Sequence, residues 1–301
     1  MTKNSYLFIT VFYLILFGAF TQIHGSEKNK TYSKKEYISL KASLGSCKVI
    51  KSPDDKIHIH LVYSFDDDEY LTHFSEAENE LDLEEEFLVK HPRGKSLWTI
   101  SIPGETKINF KSGTGDFTAE GVKIKCKVGT GTGSIILDNG EGNFNISSGT
   151  GSISFTNMSG DFEASSGTGS IEIDNSKGTF KLSSGTGSLD IQDIVVKGSS
   201  KFNSGTGSIE VSLSAGSGQD ILIGSGTGNA ILDYKGNPLK GYFEFKVKKG
   251  FGNITSPVKF ENEETIREGR EQYEKKTFRI DGEDTPRILI QSGTGLAELI
   301  K

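Results

Sequence analysis

The tripeptide Gly-Thr-Gly occurs nine times in 301 residues, and the copies beginning at Gly113, Gly131, Gly149, Gly167 and Gly185 are evenly spaced. Further copies begin at Gly205, Gly226 and Gly293, and one at Gly129 overlaps its neighbour. A fixed period of about 20 residues or slightly less predicts stacked repeats, each too small to bury its own apolar face.

One unit, Ile146 to Glu163, contains two short stretches in which apolar and polar residues alternate, each bounded by glycine. That period of two predicts strands. The apolar members recur as Ile135, Ile153, Ile171, Leu189 and Ile209, then as Leu137, Phe155, Ile173, Ile191 and Val211, and then as Phe144, Phe162, Phe180 and Phe202. Stacked, they are expected to form interior ladders. Each buried Ile, Leu or Phe contributes roughly 1.5–3 kcal/mol, so one unit cannot offset the ordering of its own backbone and several together can. The expected fold is all-β, a parallel β-helix or solenoid of about 18 residues per coil with irregular N- and C-terminal caps.

The glycines are expected to supply positive φ and close approach at a sharp corner. Thr and Ser between and beside them are expected to bond neighbouring backbone or the same residue in the next coil, giving a structural threonine ladder from Thr114 through Thr132, Thr150, Thr168, Thr186 and Thr206 to Thr227. After Gly185 and again after Gly205 the spacing lengthens, by two positions and then by three. The additions, near Ile194-Val-Val-Lys-Gly198 and Ser214-Ala-Gly-Ser-Gly218, should sit at another corner and leave the Gly-Thr-Gly corner in register. Calcium-binding nonapeptide repeats are excluded because the corners offer Thr and Ser where that chemistry needs Asp. Left-handed hexapeptide helices are excluded because Ser159 and Lys177 stand six positions after Ile153 and Ile171.

Four regions are expected. Residues 1–25 read as a secretory signal peptide: Lys3 precedes an apolar run from Tyr6 to Phe20, too short at about 22 Å to span roughly 30 Å of hydrocarbon, with cleavage after Gly25. No integral membrane segment is expected once it is removed. Residues 26–105 form an irregular β cap with strands near Tyr37–Leu40, Cys47–Ile50, Ile57–Val62 and Leu97–Ile102. Residues 106–256 carry the repeat, and residues 257–301 a final coil interrupted by a charged insert, Glu261 to about Lys276, read as a hairpin or short helix.

The recurring Ser-Gly-Thr-Gly-Ser-Ile corner, the Gly250-Phe-Gly-Asn-Ile254 step before Pro257 and the closing Ser292-Gly-Thr-Gly295 together resemble the exported bacterial β-strand-repeat family known as putative adhesins. The resemblance covers roughly residues 35 to 301. It implies a single-stranded, right-handed β-helix and an exported location, periplasmic or at the cell surface. It brings no catalytic residues.

Candidate chemistry is sparse. Between Asp66 and Glu86 lie eleven acids and no Lys or Arg, which reads as a solvated cap face and lacks the spacing of an EF-hand. His58 and His60 share one strand face opposite Ile57, Ile59 and Leu61, so they should point outward, without a third metal ligand. Cys47 and Cys126 are expected as two buried thiols. Lys235, Lys240, Lys246, Lys248 and Lys249 make a basic stretch read as a solvated face. No serine has glycine at both minus two and plus two, and no glycine run ends in Gly-Lys-Ser or Gly-Lys-Thr. No catalytic, cofactor or metal residues are assigned. A net charge of −6, from 34 basic and 40 acidic residues, argues against a general nucleic-acid binder. The expectation is a non-enzymatic exported binding or adhesion protein whose partner is a glycan or a cell-surface or envelope protein. The alternatives are an envelope scaffold and, less favoured, a polysaccharide-acting enzyme.

Overall fold

The structure, a computed structural model, describes residues 25–282 and 285–301. The expected signal peptide, residues 1–25, lies outside the described residues except for Gly25. Every regular element described is a strand.

The N-terminal strands are β1 (Ser26–Tyr32), β2 (Tyr37–Ala42), β3 (Ser46–Lys51), β4 (Ile57–Tyr63) and β5 (Tyr70–Glu76). They continue as β6 (Glu80–Phe87), β7 (Ser96–Ile102), β8 (Thr106–Ser112) and β9 (Phe117–Glu120). The repeat then supplies long and short strands in alternation: β10 (Lys123–Thr132), β11 (Ile135–Asp138), β12 (Glu141–Thr150), β13 (Ile153–Thr156), β14 (Ser159–Thr168) and β15 (Ile171–Asp174). It goes on through β16 (Lys177–Thr186), β17 (Leu189–Val196), β18 (Ser200–Thr206), β19 (Ile209–Leu213), β20 (Ile221–Thr227) and β21 (Ala230–Asp233). The C-terminal strands are β22 (Gly241–Lys248), β23 (Asn253–Thr255), β24 (Asn262–Glu268), β25 (Glu271–Ile280), β26 (Arg287–Ser292) and β27 (Leu296–Ile300).

Pairing sorts these into two ladders. The first runs β1-β4-β7-β3-β9-β11-β13-β15-β17-β19-β21-β27-β23. The second runs β5-β6-β2-β8-β10-β12-β14-β16-β18-β20-β26-β22-β25-β24. Inside both ladders every pair is parallel. The antiparallel pairs β1–β4, β4–β7, β5–β6, β22–β25 and β24–β25 all lie toward the ends. Of the four terminal strands β1, β23, β5 and β24, β1 and β24 are rich in exposed charged residues, which discourages pairing with a foreign strand.

The sequence period is the pairing register itself. Ile135 lies beside Ile153, Ile153 beside Ile171 and Ile171 beside Leu189, while Phe144, Phe162 and Phe180 form the matching column of the second ladder. The apolar sides of the two ladders meet: the Phe155 ring of the first stands 5.1 Å from that of Phe162 in the second, and Phe162 stacks on Phe180 at 4.8 Å. All these residues belong to one buried cluster. Phe202 departs from the expected column. The longer spacing after Gly185 places it beside Leu182, so its column is Val128, Ile146, Ala164 and Leu182. Its ring still stacks on Phe180 at 6.1 Å.

The Gly-Thr-Gly corner holds its register through both longer spacings, since Thr186 pairs with Thr206 and Thr206 with Thr227. The expected close approach is seen at these corners, while positive φ is confined to the second glycine of the later ones, with φ of 145° at Gly207 and 132° at Gly228. Gly131, Gly149 and Gly167 have no positive φ; what excludes a side chain is the carbonyl of the preceding repeat, which a Cβ on Gly149 would meet at 2.5 Å from Gly131 O. The threonines face solvent, and at four successive corners the expected bond to backbone comes from the buried serine one residue before the motif. Ser148 donates to Gly133 O at 3.0 Å, Ser166 to Gly151 O at 3.0 Å, Ser184 to Gly169 O at 2.9 Å and Ser204 to Gly187 O at 2.8 Å.

Left-handed backbone at residues other than glycine occurs at a different corner. Asn139, Asn157, Asn175 and Asp193 have φ of 53°, 53°, 46° and 53°, and they too recur once per repeat. Asn and Asp tolerate this region better than other residues with a Cβ. The amide of Asn175 donates to Oδ1 of Asn157 at 2.6 Å, which links successive corners.

The charged insert is a hairpin. Its strands β24 and β25 continue the second ladder beyond β22, with Glu263–Lys276 at 2.9 Å and Glu264–Lys275 at 3.2 Å across the pair.

Candidate functional site

Strict alternation on the long strands of the second ladder sends one row of side chains into the core and the next outward. On β8 the outward residues are Lys107, Asn109 and Lys111; on β10 they are Lys125 and Lys127. Asn143 and Asn145 follow on β12, Asp161 and Glu163 on β14, and Thr179 and Lys181 on β16. With Tyr37 on β2 these residues line an open groove of about 770 Å³. It crosses six neighbouring strands, a length of about 24 Å at the usual strand spacing.

The charge on this floor is uneven. Lys107 lies directly beside Lys125, and Lys41 beside Lys111. Like charges placed opposite one another on paired strands cost stability. Partial relief comes from outside the groove: Glu105 pairs with Lys125 at 3.0 Å, and this contact holds the Glu105 carboxyl below its usual range; Glu84 reaches Lys41 at 4.0 Å. Lys107, Lys111, Lys127 and Lys181 have no carboxylate within ion-pairing distance among the described residues. Beyond the lysines, Asn145 donates to Glu163 at 3.4 Å. The amide oxygen of Asn109 is buried with no donor from the protein, although such atoms ordinarily find one.

Of the residues singled out from sequence, Cys126 lies on the groove strand β10 with its side chain buried, and the others fall elsewhere. His58 and His60 are on β4 in the first ladder, half-exposed as expected, and each meets an acid: Asp54 at 2.8 Å and Glu27 at 3.5 Å. Cys47 and Cys126 are buried free thiols on different ladders, and burial raises both, Cys126 to about 12. Lys246 and Lys248 are matched by Glu268 and Glu271 of the hairpin at 2.6 and 2.8 Å, and Lys235 by Asp193 at 2.9 Å, so that basic stretch is largely neutralised.

The acidic run is only partly a solvated face. Glu85 points inward and is 5% exposed. Its Oε1 accepts from Tyr70 Oη at 2.8 Å, from Trp98 Nε1 at 2.8 Å and from Ser96 Oγ; its Oε2 accepts from the backbone N–H groups of Ser43, Leu44 and Gly45 at 3.0, 3.4 and 3.2 Å. Burial, followed by the neighbouring Glu85 charge, pushes the Tyr70 phenol well above its ordinary value. The alternation Leu81-x-Leu83-x-Glu85 carried the signal for this inward carboxylate. The groove was also legible, because stepping one repeat at a time from Asn109 gives Lys127, then Asn145, Glu163 and Lys181.

No protein-family description matches the chain. No curated protein matches it either. Among solved structures, the chain is similar to a putative adhesin from Bacteroides fragilis at 13% identity and a TM-score of 0.41, covering 92% of this chain and 98% of that one. It is similar to a putative lipid binding protein from Parabacteroides distasonis at 13% identity and a TM-score of 0.37, covering 93% and 98%. It is also similar to a putative cell adhesion protein from Clostridium sporogenes at 14% identity and a TM-score of 0.31, covering 92% and 99%.

Proposed function

We propose that the chain is an exported, non-enzymatic binding protein of the bacterial cell envelope, used as an adhesin is used, and built as a parallel β-solenoid of about 18 residues per coil. The observation that carries this reading is the groove. A pocket of about 770 Å³ is the size that small ligands and ligand segments occupy, and here it lies on paired strands that cannot shift independently. Its floor offers amides, hydroxyls, cations and two carboxylates, which are binding groups. A glycosidase needs one of its two carboxyls sheltered so that it stays protonated; Asp161 and Glu163 are both solvent-exposed. The apolar run Tyr6 to Phe20 followed by polar sequence supports export.

The test has two arms. Protease treatment of intact cells, with a periplasmic protein as the leakage control, should cleave the chain at the surface; complete protection would favour an internal scaffold. Screening the purified protein against glycans, matrix proteins and cell-surface preparations should yield saturable binding, and failure with all three would overturn the binding role.

A further inference from the structure

We propose that the groove binds an acidic polysaccharide, with an anionic sugar unit over β8 and β10 and neutral ring hydroxyls over β12 and β14. This rests on the binding role proposed above and names its ligand class.

Folding alone does not explain the lysines. Lys107 beside Lys125 and Lys111 beside Lys41 put like charges on adjoining strands, in a chain whose net charge is −6. Breaches of local rules of this kind concentrate at functional positions. A carboxylate or sulfate lying between the paired ammonium groups removes the repulsion and gains charge-assisted hydrogen bonds. Shape points the same way. The lysine patch continues into an open trough that runs across the strands, so the occupant is a chain and not a compact metabolite.

The remaining floor then selects among polyanions. Asn143 and Asn145 can both donate to and accept from hydroxyls and Asp161 accepts from them, whereas the Asp161 and Glu163 carboxylates repel phosphates, which disfavours a nucleic acid charged at every unit. Tyr37 is the only aromatic side chain standing outward on the groove strands, whereas single-stranded nucleic acids need a series of stacking rings. A flat anionic bilayer would meet Asp161 and Glu163 as it met the lysines.

The experiment is calorimetric titration of the full mature chain with three probes of equal length: an oligogalacturonate, a heparin-derived oligosaccharide and neutral cellohexaose. We expect binding to one or both acidic probes, at least tenfold tighter than to the neutral one and weakened by salt. The two acidic arms separate carboxylate from sulfate recognition. Lys107→Gln with Lys111→Gln should lower that affinity at least tenfold without lowering the melting temperature, and Lys248→Gln with Lys249→Gln should leave it unchanged.

Equal affinity for the neutral probe, an unaffected double variant, or equally tight binding of an oligonucleotide of matched charge would each overturn the inference. So would a concentration-dependent dimer abolished by the double variant, which would assign the groove to a second copy of this chain. If neutral glycans or matrix proteins bind and the acidic probes do not, the ligand class fails and the binding role stands; if nothing binds, both fail.

Discussion

The indole N–H of Trp98 donates to Oε1 of Glu85 across 2.8 Å, joining the fully buried tryptophan of β7 to the only acid of its strand that points inward. Tyr70, Ser96 and the N–H groups of Ser43, Leu44 and Gly45 share the same carboxylate, so one side chain ties β5, β6 and β7 to the turn after β2.

Glu85→Gln should therefore be costly although it preserves size. An amide has one acceptor oxygen, so the donors on one side of the present carboxylate would face an NH₂ group and lose their partner. Buried donors left unpaired cost about 1–3 kcal/mol, and the variant should lose about that much stability in a denaturant titration followed by Trp98 fluorescence. Glu86→Gln, on the exposed side of β6, should change it by less than about 0.5 kcal/mol. Equal effects would show that the buried network does not hold the cap.

At the repeating corner, glycine and serine should be intolerant and threonine tolerant. Gly149→Ala puts a Cβ 2.5 Å from Gly131 O and should cost about 2 kcal/mol or more, because two stacked strands would have to separate. Ser166→Ala removes the buried bond to Gly151 O and should cost about 1–2 kcal/mol. Thr168→Ala, exposed in the same motif, should be nearly neutral. Thermal unfolding of the three variants ranks them directly.

On the outer face of the first ladder, Glu172 lies between Ser154 and Asp190. Partial desolvation, and then the Asp190 charge, raises its carboxyl above the ordinary value. Folding thus disfavours the charged form: Glu172 contributes most below the unfolded-state value and loses that contribution as pH rises through the raised one. Glu172→Gln should stabilise the protein at neutral pH by about 0.2–1 kcal/mol, the scale of like charges opposite one another. The gain should vanish near pH 3, where the carboxyl is protonated folded or unfolded. A gain that persisted in acid would assign the effect to packing.

How far the sequence discloses this protein depends on which interactions repeat. Ile135, Ile153 and Ile171 are legible because alternation and period agree at each. Phe202 is misplaced by period alone, since the extra residues before it are absorbed by β17, whose far end crosses to pair with β16 and moves the next strand by two positions. Asn139, Asn157 and Asn175 carry no glycine signal, because a left-handed corner needs no glycine when Asn is present. The groove is a third case. Its lysines are scattered in sequence and become one patch only when strands one repeat apart are laid side by side, so the information is present but invisible to a local motif search.

The fixed register has an evolutionary consequence. Because each residue stands beside its counterpart one period away, an internal duplication of a single repeat would insert one more strand into each ladder without disturbing either neighbour, and would lengthen the outer surface by about 4.8 Å. Recombination between repeats could thus lengthen or shorten the protein in uniform increments, while a point mutation at a single outward position would alter one rung of that ruler and leave its spacing untouched.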